Sequence, residues 1–245
     1  MSLPPEGEPR AGTLALVGSG EFLPAMREVD RALLARAQGR SVAILPTASA
    51  PDGRAVAERW GVAGVSHFEK LGASATSIMA LDREACAQAT FAEAVARSDL
   101  VYLSGGKPDY LYRTLVHTVL WESILGVLAR GGVVAGCSAG AMILGGWIPG
   151  RPSLRRPSLW QPAFGLVADA FVLPHFDEIP GWMLGPAAAL RPRRSHLVGI
   201  DGDTALVGGN GRWEVLGRGR VVVRGETPAG FPRPGVHRAT RIADG

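Results

Sequence analysis

The 245-residue sequence predicts an α/β fold of the doubly wound kind: a mostly parallel sheet with helices on both faces and antiparallel hairpins toward the C-terminus. Three observations predict it. Short apolar runs bounded by turn residues alternate with longer stretches of helical period, as strands joined by crossover helices do. From Thr204 to Val223 the period shortens to two, with turn signals at GGNG and GRG, as hairpins at one sheet edge require. Hydrophobic residues make up 47% of the chain with no break in composition, so a single domain over 1–245 is expected.

The elements follow in order. Thr13 to Val17 is an apolar run closed by Gly18-Ser19-Gly20, and Ala25 to Gln38 after it has helical period. Ser41 to Leu45 is the second strand, Arg54 to Leu71 the second helix, Thr76 to Ala80 the third strand and Arg83 to Arg97 the third helix. Leu100 to Leu103 leads through Ser104-Gly105-Gly106 into Tyr110 to Arg130, a helical stretch interrupted near His117 to Val119. Val133 to Ala135 is the fifth strand, and ligands of such a sheet bind beyond the strands' carboxyl ends. After Gly145 the segment WIPGRPSLRRPSLWQP, rich in Pro, Arg and Trp, reads as an irregular covering loop. Phe171 to Leu173 and His196 to Ile200 are two further strands, and residues 225–245 read as a loosely ordered end.

Composition excludes several classes. The net charge is +4, but basic residues are scattered and aromatics do not interleave with them, so no nucleic-acid partner is expected. No apolar run reaches the roughly 18 residues of a membrane span, and MSLPPEGEPR lacks the apolar region of a signal peptide. With only Cys86 and Cys137, both expected as free thiols, the chain is expected in the cytoplasm, off the membrane. Neither C-x-x-C nor H-E-x-x-H occurs, and Gly18-Ser19-Gly20 lacks the later glycine of a dinucleotide fingerprint. Neither metal nor cofactor is expected.

The chemistry concentrates at Gly136-Cys137-Ser138-Ala139-Gly140, a G-x-S-x-G motif with a buried strand before it and a helix after it. In such a turn Ser138 is held out at the sheet's carboxyl edge as a nucleophile, and the amide of Ala139 points at a developing oxyanion. Gly106, in the glycine loop after Leu100 to Leu103, is the second oxyanion donor. A serine hydroxyl needs a general base. Of the five histidines, His175 directly follows a strand and stands at the same edge as Ser138. The glycines bracket position 138, so Cys137 is a small buried group rather than the nucleophile.

Together these residues resemble the serine peptidases of dipeptidase E (aspartyl dipeptidase) and cyanophycinase. The resemblance runs through Leu14 to Gly20, Ser104 to Gly106, Gly136 to Met142, Pro174 to Phe176 and Gly199 to Leu206, and it covers a core of about residues 12–223. It implies a flavodoxin-like, class I glutamine-amidotransferase-like fold. It also implies Ser138 as nucleophile, His175 as base, an oxyanion hole at Gly106 and Ala139, and hydrolysis of a peptide or isopeptide bond through an acyl-enzyme. A homodimer is compatible with it.

Two departures stand out. Where the family carries a glutamate that orients the imidazole, this chain reads Gly199-Ile200-Asp201-Gly202-Asp203-Thr204, with Gly202 at the glutamate position. Asp203 is taken as the replacement acid, with Asp201 and Asp177 as alternatives. Downstream of His175, DEIPGWML puts acids, Trp182 and Met183 where aspartyl-specific members carry arginines, so an aspartyl preference does not transfer. The leading expectation is a cofactor-independent serine hydrolase acting on a small peptide-like substrate. The alternatives are an impaired member that binds a ligand or partner, and an esterase of α/β-hydrolase type with Asp169 and either His196 or His237.

Overall fold

The computed structural model describes residues 12–150, 158–182, 192, 194–209 and 211–239. The chain runs β1 (Thr13–Val17), α1 (Arg27–Arg36), β2 (Ser41–Leu45), α2 (Arg54–Lys70), β3 (Ser74–Ser77), α3 (Arg83–Cys86), α4 (Ala89–Ala96) and β4 (Leu100–Leu103). It continues through α5 (Pro108–Leu115), α6 (Val119–Ala129), β5 (Val133–Cys137), α7 (Ala139–Leu144), β6 (Trp147–Pro149), β7 (Trp160–Pro162) and β8 (Ala170–Leu173). The last strands are β9 (His196–Ile200), β10 (Thr204–Gly209), β11 (Arg212–Gly217), β12 (Arg220–Arg224) and β13 (Gly235–Arg238).

A seven-stranded sheet has the order β11-β10-β1-β5-β4-β2-β3. Strands β1 to β5 are parallel, and the hairpin β10-β11 adds antiparallel to β1, as the period-two tail predicts. Strand β5 lies between β1 and β4, with Val17 opposite Cys137 and Leu103 opposite Gly136, so all of it is buried. That is why VVAGC is an unbroken run of small or apolar residues. Side chains alternate between the two faces. Leu14, Leu16 and Val134 join the core beneath α5, α6 and α7, whereas Ala15, Val17, Val133, Ala135 and Cys137 join the core beneath α1 and α2.

Local signals explain the helix boundaries. Asp82 caps α3 by accepting from the Ala85 amide at 2.8 Å. Thr118 caps α6, accepting from the Trp121 amide at 3.3 Å and donating to the Leu115 carbonyl at 2.7 Å. This cap is the predicted interruption between α5 and α6, and its loss costs about 1 kcal/mol.

The sequence does not foresee the second sheet, of order β13-β12-β9-β8-β6-β7. Within it β8 runs parallel to both β6 and β9, while β12 runs antiparallel to β9. The segment expected as an irregular loop contributes the antiparallel pair β6-β7, and the tail expected to be loose contributes β13, paired with β12. Val172, Val198, Val221 and Val223 of this sheet share the core of Leu16 and Val134, so the end of β8 is fixed against the main sheet. No helix among the described residues is long and apolar enough to cross a membrane.

Candidate active site

The turn from β5 into α7 is tight because its flanking glycines admit no side chain. A Cβ on Gly136 would lie 2.4 Å from the Gly140 carbonyl carbon, and one on Gly140 would lie 2.3 Å from the Leu103 carbonyl oxygen. Ser138, between them, takes φ 49° and ψ −108°, a conformation that costs on the order of 1–3 kcal/mol for a residue with a Cβ. Its amide is anchored to the Val17 carbonyl at 3.0 Å, and its carbonyl accepts from the Met142 amide at 3.0 Å. The hydroxyl is left at the carboxyl edge of the sheet, and Ala139 heads α7 with its amide in the first turn.

His175 reaches this hydroxyl from the second sheet. After β8 and Pro174 the chain turns left-handed at His175, with φ 51° and ψ 38°, into a 3-10 turn over Phe176–Glu178. Phe176 is buried and fills the space above Gly199, where a Cβ would come within 2.3 Å of its ring, so the turn is pinned to β9. His175 Nε2 lies 3.3 Å from Ser138 Oγ. Its Nδ1 lies 3.3 Å from Glu178 Oε1. A carboxylate only accepts, so this contact puts the proton on Nδ1 and leaves the Nε2 lone pair facing the serine hydroxyl.

The carboxylate beside the imidazole is thus Glu178, which the sequence does not single out. The left-handed residue brings the third residue after His175 back toward the imidazole, which the spacing H-F-D-E allows but does not announce. Asp203, the predicted acid, makes no hydrogen bond with His175. It has φ 50° and folds over Gly20, where a Cβ would meet its Oδ1 at 2.1 Å. Asp201 instead pairs with Arg220, accepting from its Nε at 3.2 Å. Burial raises the Asp201 carboxyl above its ordinary value, and the arginine opposes that rise. Asp177 accepts from the Gly202 amide at 2.7 Å. Its carboxylate also occupies the space above Gly202, 3.5 Å from where a Cβ would stand. An acid from the histidine turn thus fills the region into which a side chain at position 202 would project.

The loop after β4 closes the other side. Ser104 donates its amide to the Leu45 carbonyl at 3.1 Å, and Lys107 donates its own to the Ala48 carbonyl at 2.8 Å. Gly105 donates to Glu21 Oε1 at 2.9 Å. Gly106 has φ 143°, and a Cβ there would lie 2.3 Å from the Ala48 carbonyl oxygen, so only glycine fits. Its amide makes no hydrogen bond among the described residues. Lys107 pairs with Asp52 at 3.6 Å.

Ser138, His175, Gly106, Glu21, Asp203 and Trp60 are among the residues lining one cavity of about 510 Å³. A larger hollow of about 610 Å³, among Trp213, Phe231 and His237, is lined by no serine, threonine or cysteine among the described residues. The esterase arrangement does not form. His196 is buried with neither ring nitrogen paired among the described residues, and His237 Nε2 bonds the Arg233 carbonyl at 2.8 Å. Cys137 is fully buried, but it is more than an apolar filler, because its thiol donates to Glu21 Oε2 at 2.9 Å. Burial, and then the charge of Glu21, push that thiol well above its ordinary range. Burial likewise raises Cys86 to about 12. Met183, one of the residues replacing the expected arginines, lies outside the described residues.

A model of peptidase family S51 matches residues 14–214. An uncharacterized peptidase of Listeria innocua serovar 6a is 30% identical over 148 residues, 58% of this chain and 68% of that protein. The crystal structure of a peptidase from an acI-B1 actinobacterium is similar over 95% of this chain and 96% of its own, at a TM-score of 0.82 and 34% identity. A Listeria monocytogenes EGD-e protein provisionally assigned as peptidase E is similar over 84% of this chain and 98% of its own. Its TM-score is 0.62 at 20% identity, a likeness of fold alone.

Proposed function

The chain belongs to peptidase family S51, and from that premise we propose that it is a serine hydrolase cleaving a peptide or isopeptide bond of a small peptide-like substrate through an acyl-enzyme. The observation that carries the proposal is the 3.3 Å approach of His175 Nε2 to the hydroxyl of Ser138 on a strained strand-to-helix turn. A Ser-His contact of this length is ordinary in an unliganded site and tightens when substrate binds.

In the first half-reaction Ser138 Oγ attacks the scissile carbonyl carbon as His175 Nε2 takes its proton. The amides of Gly106 and Ala139 donate to the oxyanion of the tetrahedral intermediate. That intermediate collapses when His175 returns the proton to the leaving amine, leaving an ester on Ser138. A water molecule, deprotonated by the same Nε2, attacks the ester; collapse of the second intermediate expels Ser138 Oγ, which recovers the proton, and releases the acid. Glu178 orients the imidazole and offsets its positive charge in both halves, the role the family gives to a glutamate where this chain has Gly202.

The cavity's volume supports a short substrate. Its charged lining is Glu21, Asp52 and Asp203, with no lysine or arginine among the described residues, so nothing in it grips an aspartyl carboxylate. The test is a panel of dipeptides and isoaspartyl dipeptides, with release of the free amino acid followed by chromatography. Wild-type protein is expected to turn over at least one of them, and Ser138→Ala and His175→Ala none. Binding of a peptide with no turnover by the wild type would favour the second reading, a binding protein, which the glycine at 202 motivates.

A further inference from the structure

We propose that Glu21 is a positioning residue that ties the oxyanion loop and the nucleophile turn to the first strand, setting the direction of the Gly106 amide. The proposal rests on the hydrolytic function above. Strands β1, β5 and β4 are consecutive neighbours in the sheet, and the three segments that follow them meet at its carboxyl edge. Glu21 projects from the first of these. One carboxylate oxygen accepts from the Gly105 amide at 2.9 Å, beyond β4. The other accepts from the Cys137 thiol at 2.9 Å, at the end of β5 and next to Ser138. One side chain thus bridges both halves of the place where an oxyanion would sit.

The cost of this arrangement argues that it has a purpose. Glu21 is only 8% exposed, and no cation pairs with it among the described residues. A buried carboxylate without a counter-charge destabilises the fold, and negative charge beside a developing oxyanion opposes catalysis. What it supplies is direction. A glycine pair can present either of its amides to the cavity, because glycine allows many backbone angles. With the Gly105 N–H held by Glu21, the unbonded Gly106 N–H is the one left for substrate. Gly105 cannot be stiffened by a side chain instead. A Cβ there would meet Glu21 Oε1 at 2.8 Å and Ser138 Cβ at 3.3 Å. The Cys137 thiol, kept protonated by burial, is the matching donor on the nucleophile side.

If reach is what matters, shortening the side chain should do more harm than removing its charge. Glu21→Asp keeps the charge but cannot span both partners, whereas Glu21→Gln keeps an oxygen for the Gly105 amide. With whichever dipeptide of that panel the wild type hydrolyses, kcat of Glu21→Asp is expected to fall by about 100-fold, the lower end of what losing an oxyanion donor costs, with KM within about threefold. Glu21→Gln should stay within about tenfold of wild type. Values are taken per folded molecule, from circular dichroism and active-site titration.

Equal activity of Glu21→Asp and wild type, or a reversed order in which Gln is inactive and Asp active, overturns the proposal while Ser138→Ala remains inactive. Should Glu21→Asp not fold, a loss beyond 100-fold in folded Glu21→Gln overturns it equally. Retention of turnover by Ser138→Ala marks failure of the hydrolytic function itself, and the role of Glu21 falls with it.

Discussion

Replacing Glu178 with glutamine isolates the charge of the acid beside His175. Glutamine keeps an oxygen that can accept from Nδ1, so the tautomer survives and only the attraction between imidazolium and carboxylate is lost. At the observed 3.3 Å separation, Coulomb's law gives about 1.3 kcal/mol in water and about 5 kcal/mol at an effective dielectric constant of about 20. Glu178 is 68% exposed and His175 41%, which places the pair near the aqueous end. A loss of about 1 to 2.5 kcal/mol is expected, a fall in kcat of about 5- to 70-fold. The assay is steady-state hydrolysis of the best dipeptide, with Asp177→Asn and Asp203→Asn alongside, each expected within about threefold of wild type. An unchanged Glu178→Gln enzyme would refute the assignment. So would a loss of about 10⁴-fold on Asp203→Asn, the penalty seen when a buried triad acid is neutralised.

Two other perturbations test different parts of the site and fold. Gly106→Ala forces a Cβ against the Ala48 carbonyl at φ 143°; it should cost about 1–3 kcal/mol of stability by denaturant unfolding and lower kcat by about 10² or more. His196 is buried with no partner for either nitrogen among the described residues, and burial lowers its pKa from the ordinary 6.5. The unfolded chain therefore binds this proton more readily than the folded one, so the contribution of His196 is fully present above pH 6.5 and is lost as the pH falls toward its folded value. His196→Leu should flatten the decline in Tm as the pH falls below about 6.5, and an equally steep decline would contradict this.

How much of this was legible in the sequence depended on how local each cause was. Strands β1, β2 and β4 fall within the residues their unbroken apolar runs mark, because burial on both faces leaves no other pattern. β3, at the sheet edge, lies at Ser74–Ser77 instead of Thr76 to Ala80. The apolar residues that suggested the later position, Ile78 and Ala80, are buried just beyond the strand. The second sheet joins segments distant in sequence, such as Trp147 with Phe171, and no local period encodes that pairing. At the site, the flanking glycines and strand context marked Ser138, and a strand end marked His175. Glu178 was hidden because its approach depends on a left-handed backbone at a histidine, a residue that does not require one. Glu21 was hidden because no motif or local period marks it. Its partners, a backbone amide and a thiol, lie 84 and 116 residues away.

Whether Ser138 is a nucleophile activated by His175 is read by covalent capture with a fluorophosphonate, followed by intact mass and peptide mapping on wild-type protein, Ser138→Ala and His175→Ala. One adduct per wild-type chain, mapped to Ser138, is expected, with none on Ser138→Ala and labelling of His175→Ala slowed by at least about 100-fold. An unlabelled wild-type protein, or an adduct of equal yield on Ser138→Ala, would contradict it.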